Sequence, residues 1–534
     1  MTAPAFDTGP SSPALPATTI GGALGATVAA HGGREALVSV EQQVRFTYGE
    51  LSEAVDRVAR GLLARGLDKG DRVGIWSPNC YEWVLVQYAT ARLGVVLVTI
   101  NPAYRTHELA YVLDQAGVSL LIGAPSFKSS DYVAMAAEAA PTMPAVFFGS
   151  PEWDALSIDG DPLPDRGLRP EDPINIQYTS GTTGFPKGAT LSHTNILGNG
   201  FLVGESCGYT EQDRICVPVP FYHCFGMVMG NLGALTHGAC IVIPAPAFDA
   251  AATMRAVAQE RCTSLYGVPT MFIAELGLTD FATYDVSTLR TGIMAGSPCP
   301  VEVMKQVQLF MPEVTIAYGM TETSPVSTQT SADDTLDRRT GTVGRVHPHV
   351  TVKVVDPANG ETVDRGVTGE LCTAGYGVML GYWNDEAKTA EAIDTDGFMH
   401  TGDLAVMDDE GYLSIVGRSK DMVIRGGENV YPREVEEFLY THPDVQDVQV
   451  IGVPDTRYGE ELCAWVKLVD GSELTPDELR AWCKGKLAHY KVPRYVRLTD
   501  EFPMTISGKV QKFKMREVSV DELGLQDAAA VVTA

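Results

Sequence analysis

The chain has 534 residues, 45% of them hydrophobic, with 40 basic against 67 acidic side chains and a formal net charge of −27. That length exceeds what one compact core supports and predicts two or more domains, and the acidity excludes nucleic acid and anionic membrane as non-specific partners. Ten cysteines lie scattered without a Cys-x-x-Cys pair or a Cys/His cluster in the sequence, so neither a zinc site nor a disulfide framework is expected and the thiols read as reduced and mostly buried.

In chain order, Met1 to Ile20 is rich in Pro, Ala, Ser and Thr, holds no Lys or Arg, and has no apolar run fit for a signal or membrane helix. It is predicted to be disordered, and the expected location is the cytoplasm, in a bacterial-type or already processed chain. From residue 21, helical and strand-like pieces alternate. Tyr48-Gly49-Glu50-Leu51 opens a helix through Val55 and Leu62, Arg72 to Ile75 is strand-like, and Ala89 to Val96 leads into the apolar strand Val95 to Ile100. The rhythm returns at Asp213 to Val219, Ala239 to Ile243, Ser264 to Gly267, Thr291 to Ala295 and Val314 to Tyr318, each run ending near Gly or Pro. Such strands suit a largely parallel, buried sheet with ligands at its carboxyl ends. After about residue 340 the β segments become shorter and punctuated by glycine. A charged junction, Arg418-Ser419-Lys420-Asp421, then precedes a helix start at Tyr431-Pro432 and strands at Asp447 to Val453 and Leu462 to Leu468.

The expected architecture is α/β: a large N-terminal domain of parallel-rich sheets with helices and a small β-rich subdomain (residues 21–418), a hinge (419–421), and a small mobile α+β C-terminal domain (422–526). The tail 527–534, like residues 1–20, reads as disordered.

The stretch Tyr178 to Gly188, Tyr-Thr-Ser-Gly-Thr-Thr-Gly-Phe-Pro-Lys-Gly, follows an alternating apolar strand. Gly181, Gly184 and Gly188 permit left-handed turns and close approach, and Thr179, Ser180, Thr182, Thr183 and Lys187 donate to phosphate oxygens. It is not the P-loop of kinases and ATPases, because Pro186 and Gly188 flank the lysine where that motif needs glycine and a hydroxyl residue. By itself the loop says only that a polyphosphate binds.

Together with five further segments, it makes the chain resemble the adenylate-forming superfamily over nearly its whole length. The closest likeness is to medium-chain acyl-CoA synthetases, which carry Tyr-His-Cys, Ala-Gly-Ser-Pro (here with Gly296 and Ser297) and Ile-Arg-Gly-Gly-Glu-Asn segments. The resemblance implies the following roles. The loop holds the β- and γ-phosphates of ATP. In Ala317 to Glu322, Tyr318 with Gly319 borders adenine, Thr321 lies near the α-phosphate and Glu322 helps to hold Mg²⁺, an oxygen donor for a hard cation. In His400-Thr401-Gly402-Asp403, Asp403 accepts the ribose hydroxyls. Arg418 contacts the nucleotide, and Lys420 is the hinge about which the small domain turns. In Thr505 to Gln511, Lys509 bridges the attacking carboxylate and the α-phosphate. His223 borders the carboxylate and the thiol entrance without acting as a general base. Gly426 and Gly427 line the pantetheine path in the rotated state.

The implied activity is two-step: a carboxylic acid and Mg·ATP give acyl-AMP and pyrophosphate, then CoA takes the acyl group. Gly319 stands where short-acid members carry a tryptophan that closes the acyl pocket, so the pocket is expected to be open to longer chains. Its expected lining is Phe225, Val228, Met229, Met294 and Met320, and the expected substrate is a medium-chain fatty acid. The partners are then ATP, CoA and a small carboxylic acid, with no nucleic acid and no integral membrane segment; a homodimer is compatible. Three alternatives remain: a free-standing adenylation enzyme that loads a carrier protein and would share every motif, a luciferase-like oxidoreductase of the same fold, and a non-catalytic relative, which should lose Lys509, Glu322 or Asp403, all present here.

Overall fold

The computed structural model describes residues 3–179, 186–297, 299–418, 421–425, 428–484, 486–505 and 509–529, with the side chains of 418, 428, 429, 527 and 529 left aside. Four main sheets carry these residues. A seven-stranded sheet runs in the order Gly381–Tyr382, Lys187–Ser192, Pro173–Thr179, Val96–Ile100, Arg72–Trp76, Leu120–Gly123, Ala145–Phe147. It is parallel from Pro173–Thr179 onward. A nine-stranded sheet places Glu313–Gly319, Thr291–Ala295, Ser264–Gly267, Arg214–Cys216, Cys240–Ile243 and Glu35–Ser39 side by side and parallel, with antiparallel strands at both edges. Buried residues of both sheets, among them Ile75, Ile176, Ile215 and Ile293, share one core.

Local rules account for the elements between the strands. The helix Tyr48–Ala64 starts where the sequence predicts, because Thr47 and Glu50 form a reciprocal capping box. Its buried face, Leu51, Val55, Val58 and Leu62, repeats at helical spacing. Helix Tyr81–Leu93 is buried on nearly every side and stops at Gly94, which takes the left-handed conformation at φ 72°.

The third sheet is antiparallel, in the order Phe6–Thr8, Val350–Val355, Gly369–Gly375, Met399–Met407, Leu413–Arg418. Its first strand corrects the reading of the N-terminus. Residues 3–20 are not a loose tail: Phe6 pairs with Lys353, Ala5 is fully buried, and Thr19 caps the helix Ile20–His31. The fourth sheet lies wholly in the C-terminal part, with Val423–Arg425, Val445–Asp455, Gly459–Leu468 and Tyr495–Leu498 around its own core of Val448, Val450, Leu462 and Val466. Arg433 ties this part to the larger one by donating to the Ile415 carbonyl at 2.8 Å and the Thr340 carbonyl at 3.3 Å. A short helix, Gln526–Ala529, follows the last long one, where the sequence predicts a disordered tail from 527; residues 530–534 lie outside the described residues. The ten cysteines are all buried and unbridged, and no helix among the described residues is long and apolar enough to cross a membrane.

Candidate active site

Parallel pairing aligns Gly267 with Met294 and Ala295 with Ala317, so the carboxyl ends of three strands open onto one place. The strand after Ala295 leaves through Gly296, which takes φ 90°, a conformation that favours glycine. Tyr318, at the end of the next strand, donates its hydroxyl to Asp403 Oδ2 at 2.7 Å. Two residues 85 apart in sequence, both implied to border the nucleoside, therefore meet.

Asp403 is held from behind. Gly402 turns at φ 70° and donates its N–H to Glu370 Oε1 at 3.0 Å, and Asp403 N–H donates to Thr401 Oγ1 at 3.1 Å. The other Glu370 oxygen lies 2.9 Å from His400 Nδ1, which is 3.4 Å from the Cys372 thiol. Cys372, Glu370 and His400 thus form a cluster that the sequence spacing conceals. Glu370 is engaged with the turn, however, Lys353 sits 3.1 Å from the flanking Asp394, and burial and the Glu370 charge push the Cys372 thiol up to about 12. These contacts make the cluster a brace for the Asp403 turn.

Glu322 and Thr321 are buried, and Glu322 Oε1 accepts the Tyr382 hydroxyl at 2.8 Å. One carboxylate oxygen remains outside that bond. A hard oxygen donor next to the strand Lys187–Ser192, which follows the expected polyphosphate loop, fits Mg²⁺; Glu322 would hold the ion, and the ion would offset nucleotide charge in an acidic protein.

The expected polyphosphate loop lies between two paired strands, in which Thr179 pairs with Lys187 and Tyr178 with Gly188. A side chain at Gly188 would press within 2.7 Å of Ile176, so this glycine lets the hairpin close. Lys187 Nζ stands 4.8 Å from the Tyr382 ring centroid. Ser180, Gly181, Thr182, Thr183 and Gly184 lie outside the described residues, as do Lys420, Gly426, Gly427 and the Arg418 side chain; the Arg418 backbone pairs with Asp403.

Lys509 reaches this site from the C-terminal part. Thr505 donates its N–H to the Lys509 carbonyl at 2.8 Å and accepts the Lys509 N–H at Oγ1, 3.0 Å, which ties the two residues together. A Cβ placed on Gly296 would lie 3.5 Å from Lys509 Cε. Ser297 is exposed beside it. Burial and then the Lys509 charge lower the His223 pKa to about 3, so the imidazole is neutral at physiological pH. The Phe225 N–H donates to His223 Nδ1 at 3.2 Å, which puts the ring proton on Nε2. A neutral Nε2–H donor is unsuited to act as a base toward a thiol. Next to it, the buried Cys224 thiol is raised by burial and the Glu322 charge and lowered by its bond to Gln177 and the Lys509 charge, so Glu322 and Lys509 both act on one point.

The expected acyl lining divides. Phe225, Val228 and Met229 lie in a π-helix, Phe225–Leu232, whose wide turns leave carbonyls for side chains to bind. Gln87 Nε2 donates to the Met227 carbonyl, Tyr266 OH to that of Met229 and Tyr88 OH to that of Asn231, each at 3.1 Å. Phe225 stacks on Tyr266 with centroids 5.6 Å apart, and Met320 packs against the same core. Met294 does not join them. It points to the other face of the sheet with Leu265 and Phe272, and its neighbours Ile293 and Ala295 take the inner face, as the two-residue period of a strand requires. Gly319 also has a backbone reason to be glycine: a Cβ there would come within 1.7 Å of the Pro325 carbonyl oxygen.

Two side chains of this site escape the sequence reading, Tyr382 and Glu370. Gly381-Tyr382-Trp383 is an aromatic pair after a glycine, a signal for close packing, but its partner stands 60 residues away.

Comparisons with known proteins agree with this geometry. The AMP-binding enzyme pattern matches residues 24–383, and the AMP-binding enzyme C-terminal domain matches residues 434–509. YngI of Bacillus subtilis (strain 168), to which acyl-CoA synthetase activity is ascribed, is 48% identical over 96% of this chain and 99% of its own. The human mitochondrial medium-chain acyl-CoA ligase ACSF2 is 43% identical over 96% of this chain and 89% of its own. Among solved structures, ATP-bound MatB from Rhodopseudomonas palustris superposes with a TM-score of 0.85 at 31% identity, covering 95% of this chain and all 100% of that one. The anthranilate CoA ligase AuaEII with anthranoyl-AMP gives 0.88 at 26% identity, covering 96% and 99%. Fold, site and relatives define an AMP-forming acid–thiol ligase. The chain belongs to the AMP-binding enzyme family.

Proposed function

We propose that the protein activates a medium-chain fatty acid and passes it to coenzyme A. A carboxylate oxygen attacks the α-phosphorus of ATP, the bond to the β-phosphate bridge breaks, and pyrophosphate leaves. The thiol sulfur of CoA then attacks the acyl carbonyl of the acyl-AMP, the bond to the phosphate oxygen breaks, AMP leaves and the thiol proton passes to solvent. The carrying observation is convergence: Lys509 from the small C-terminal part stands beside Gly296 and His223, in the site that also holds Glu322, Tyr318 and Asp403.

In this reading Lys509 stabilises the charge that builds on the α-phosphate, His223 donates from Nε2 to a carboxylate or carbonyl oxygen, and Asp403 accepts the ribose hydroxyls. Thr179 and Lys187, with Ser180, Gly181, Thr182, Thr183 and Gly184, cradle the departing pyrophosphate. Because the Lys509 side chain occupies the place a thiol must reach, the small domain rotates about Lys420 between the half-reactions and brings Gly426 and Gly427 to the pantetheine path. Medium chain length is supported by the apolar π-helix and by the ACSF2 relatives named for it. The protein is assigned to the cytoplasm, a homodimer is compatible with the chemistry, and CoA rather than a carrier protein is the acceptor.

A chain-length series of kcat/KM with free CoA tests this. The expected result is a maximum among medium-chain acids; a maximum at malonate, benzoates or long chains, or transfer only to a phosphopantetheinylated carrier, overturns it.

A further inference from the structure

Tyr382 occupies a position that no part of the two-step scheme uses. The short strand Gly381–Tyr382 lies antiparallel to Lys187–Ser192, the return strand of the phosphate-loop hairpin, with Ala189 opposite Tyr382. The backbone there is fixed on both sides. Tyr382 N–H donates to Thr389 Oγ1 at 2.9 Å, Trp383 N–H to the Gly188 carbonyl at 2.7 Å, and Gln115 Nε2 to the Trp383 carbonyl at 2.7 Å. Gly381 takes φ 140°, and a Cβ there would come within 2.9 Å of Thr389, so the approach needs glycine.

From this rigid base the side chain does two things. Its hydroxyl donates to Glu322 Oε1 at 2.8 Å in a buried setting, and its ring face carries the Lys187 ammonium 4.8 Å from the centroid. The carboxylate and the ammonium that contact this one side chain carry opposite charges, and a paired Lys187 and Glu322 would each be less available to a phosphate and to a cation. The ring gives the ammonium a π-face in place of a carboxylate, and the hydroxyl fixes which oxygen of Glu322 stays open.

We propose that Tyr382 is a positioning residue that acts through two parts of one side chain: its hydroxyl orients Glu322 for the divalent cation, and its ring holds Lys187 apart from that carboxylate and aimed at phosphate. The proposal rests on the reading of this site as a Mg·ATP site.

The test pairs Tyr382→Phe with Tyr382→Leu in the full-length protein and reads binding directly, without turnover. Binding of Mn²⁺ to the protein in the presence of ATP is followed by electron paramagnetic resonance, and binding of ATP in excess EDTA by calorimetry. Tyr382→Phe keeps the ring and loses one hydrogen bond to a charged group, so Mn²⁺ affinity falls about 5- to 30-fold while metal-free ATP affinity stays within about twofold. Tyr382→Leu loses the ring as well, so metal-free ATP affinity falls a further ~2- to 5-fold. Wild-type Mn²⁺ affinity in Tyr382→Phe overturns the role of the hydroxyl. Equal metal-free ATP affinity in Tyr382→Leu and Tyr382→Phe overturns the role of the ring. Loss of both affinities in Tyr382→Phe with a lowered melting temperature shows a merely structural residue and overturns both. If the wild-type protein binds neither ATP nor Mn²⁺·ATP, the nucleotide-site reading itself fails, an outcome separate from these.

Discussion

The nucleotide side of the site and the lysine that enters it are built in opposite ways. Tyr318, Asp403 and Glu322 stand on strands or tight turns of the large N-terminal part, and each is held by at least one hydrogen-bond partner: Asp403 by Tyr318 and the Glu370–Gly402 brace, Glu322 by Tyr382. Lys509 belongs to the small C-terminal part and is tied by two hydrogen bonds to Thr505. Groups that must recognise ATP are set in place before it binds, which reduces the ordering cost of binding. On the proposed reading, a group needed in one half-reaction and obstructive in the other would be put on an element that can leave.

The largest expected effect breaks this comparison at its mobile end. Lys509→Ala should lower carboxylate-dependent ATP–pyrophosphate exchange by about 10²–10³-fold, the scale for removing a charge-stabilising donor. Thioester formation from supplied acyl-AMP should stay within about threefold of wild type, since that step runs with the lysine withdrawn. Equal losses in the two assays would mean that Lys509 is part of the fixed framework.

At the fixed end, Asp403→Ala should raise the KM for ATP by about 10- to 100-fold through lost charge-assisted hydrogen bonds and leave the KM for the fatty acid nearly unchanged. Glu370→Ala, one step removed, should raise the ATP KM by only about 3- to 10-fold, with a melting temperature close to wild type. Steady-state kinetics with each substrate varied in turn checks both; a Glu370 variant that matches Asp403→Ala would show that the brace is as necessary as the residue it holds.

What is legible in the sequence follows the same division. Side-chain chemistry points to the loop at Tyr178 to Gly188, the family resemblance points to Tyr318 to Glu322, Asp403 and Lys509, and helical spacing points to the helix at Tyr48. Segments that act through backbone are silent: residues 3–20 look like a loose tail because an edge strand such as Phe6–Thr8 is held by main-chain pairing that composition does not record. Met294 is misplaced by a sequence reading because a continuous apolar run, Thr291–Ala295, is buried on both faces and hides which residue faces the acyl site. At Gly319 a tight backbone adds a second reason for glycine beside the expected open pocket, since the Pro325 carbonyl oxygen lies 1.7 Å from where a Cβ would stand.

The smallest effect concerns the framework itself. His193 and His347 have pKa values lowered by burial to about 4, and His223 is lowered to about 3; all three lie in the large part. Each binds a proton in the unfolded chain near pH 6.5 but not in the folded one, so the stability they leave intact at neutral pH is lost as pH falls from about 6.5 toward 4. Glu275 works the other way. It is buried, its Oε1 lacks a hydrogen-bond partner among the described residues, and burial raises its pKa well above normal. Its contribution is present below pH ~4.5 and is lost as pH rises, because the unfolded chain ionises there and the folded one resists. In calorimetry, Glu275→Gln should therefore raise the melting temperature at pH 8 by about 2–4 °C and change it little at pH 4.5, steepening the remaining histidine-driven fall in acid. A gain of equal size at both pH values would mean that Glu275 costs stability through its shape and not its charge.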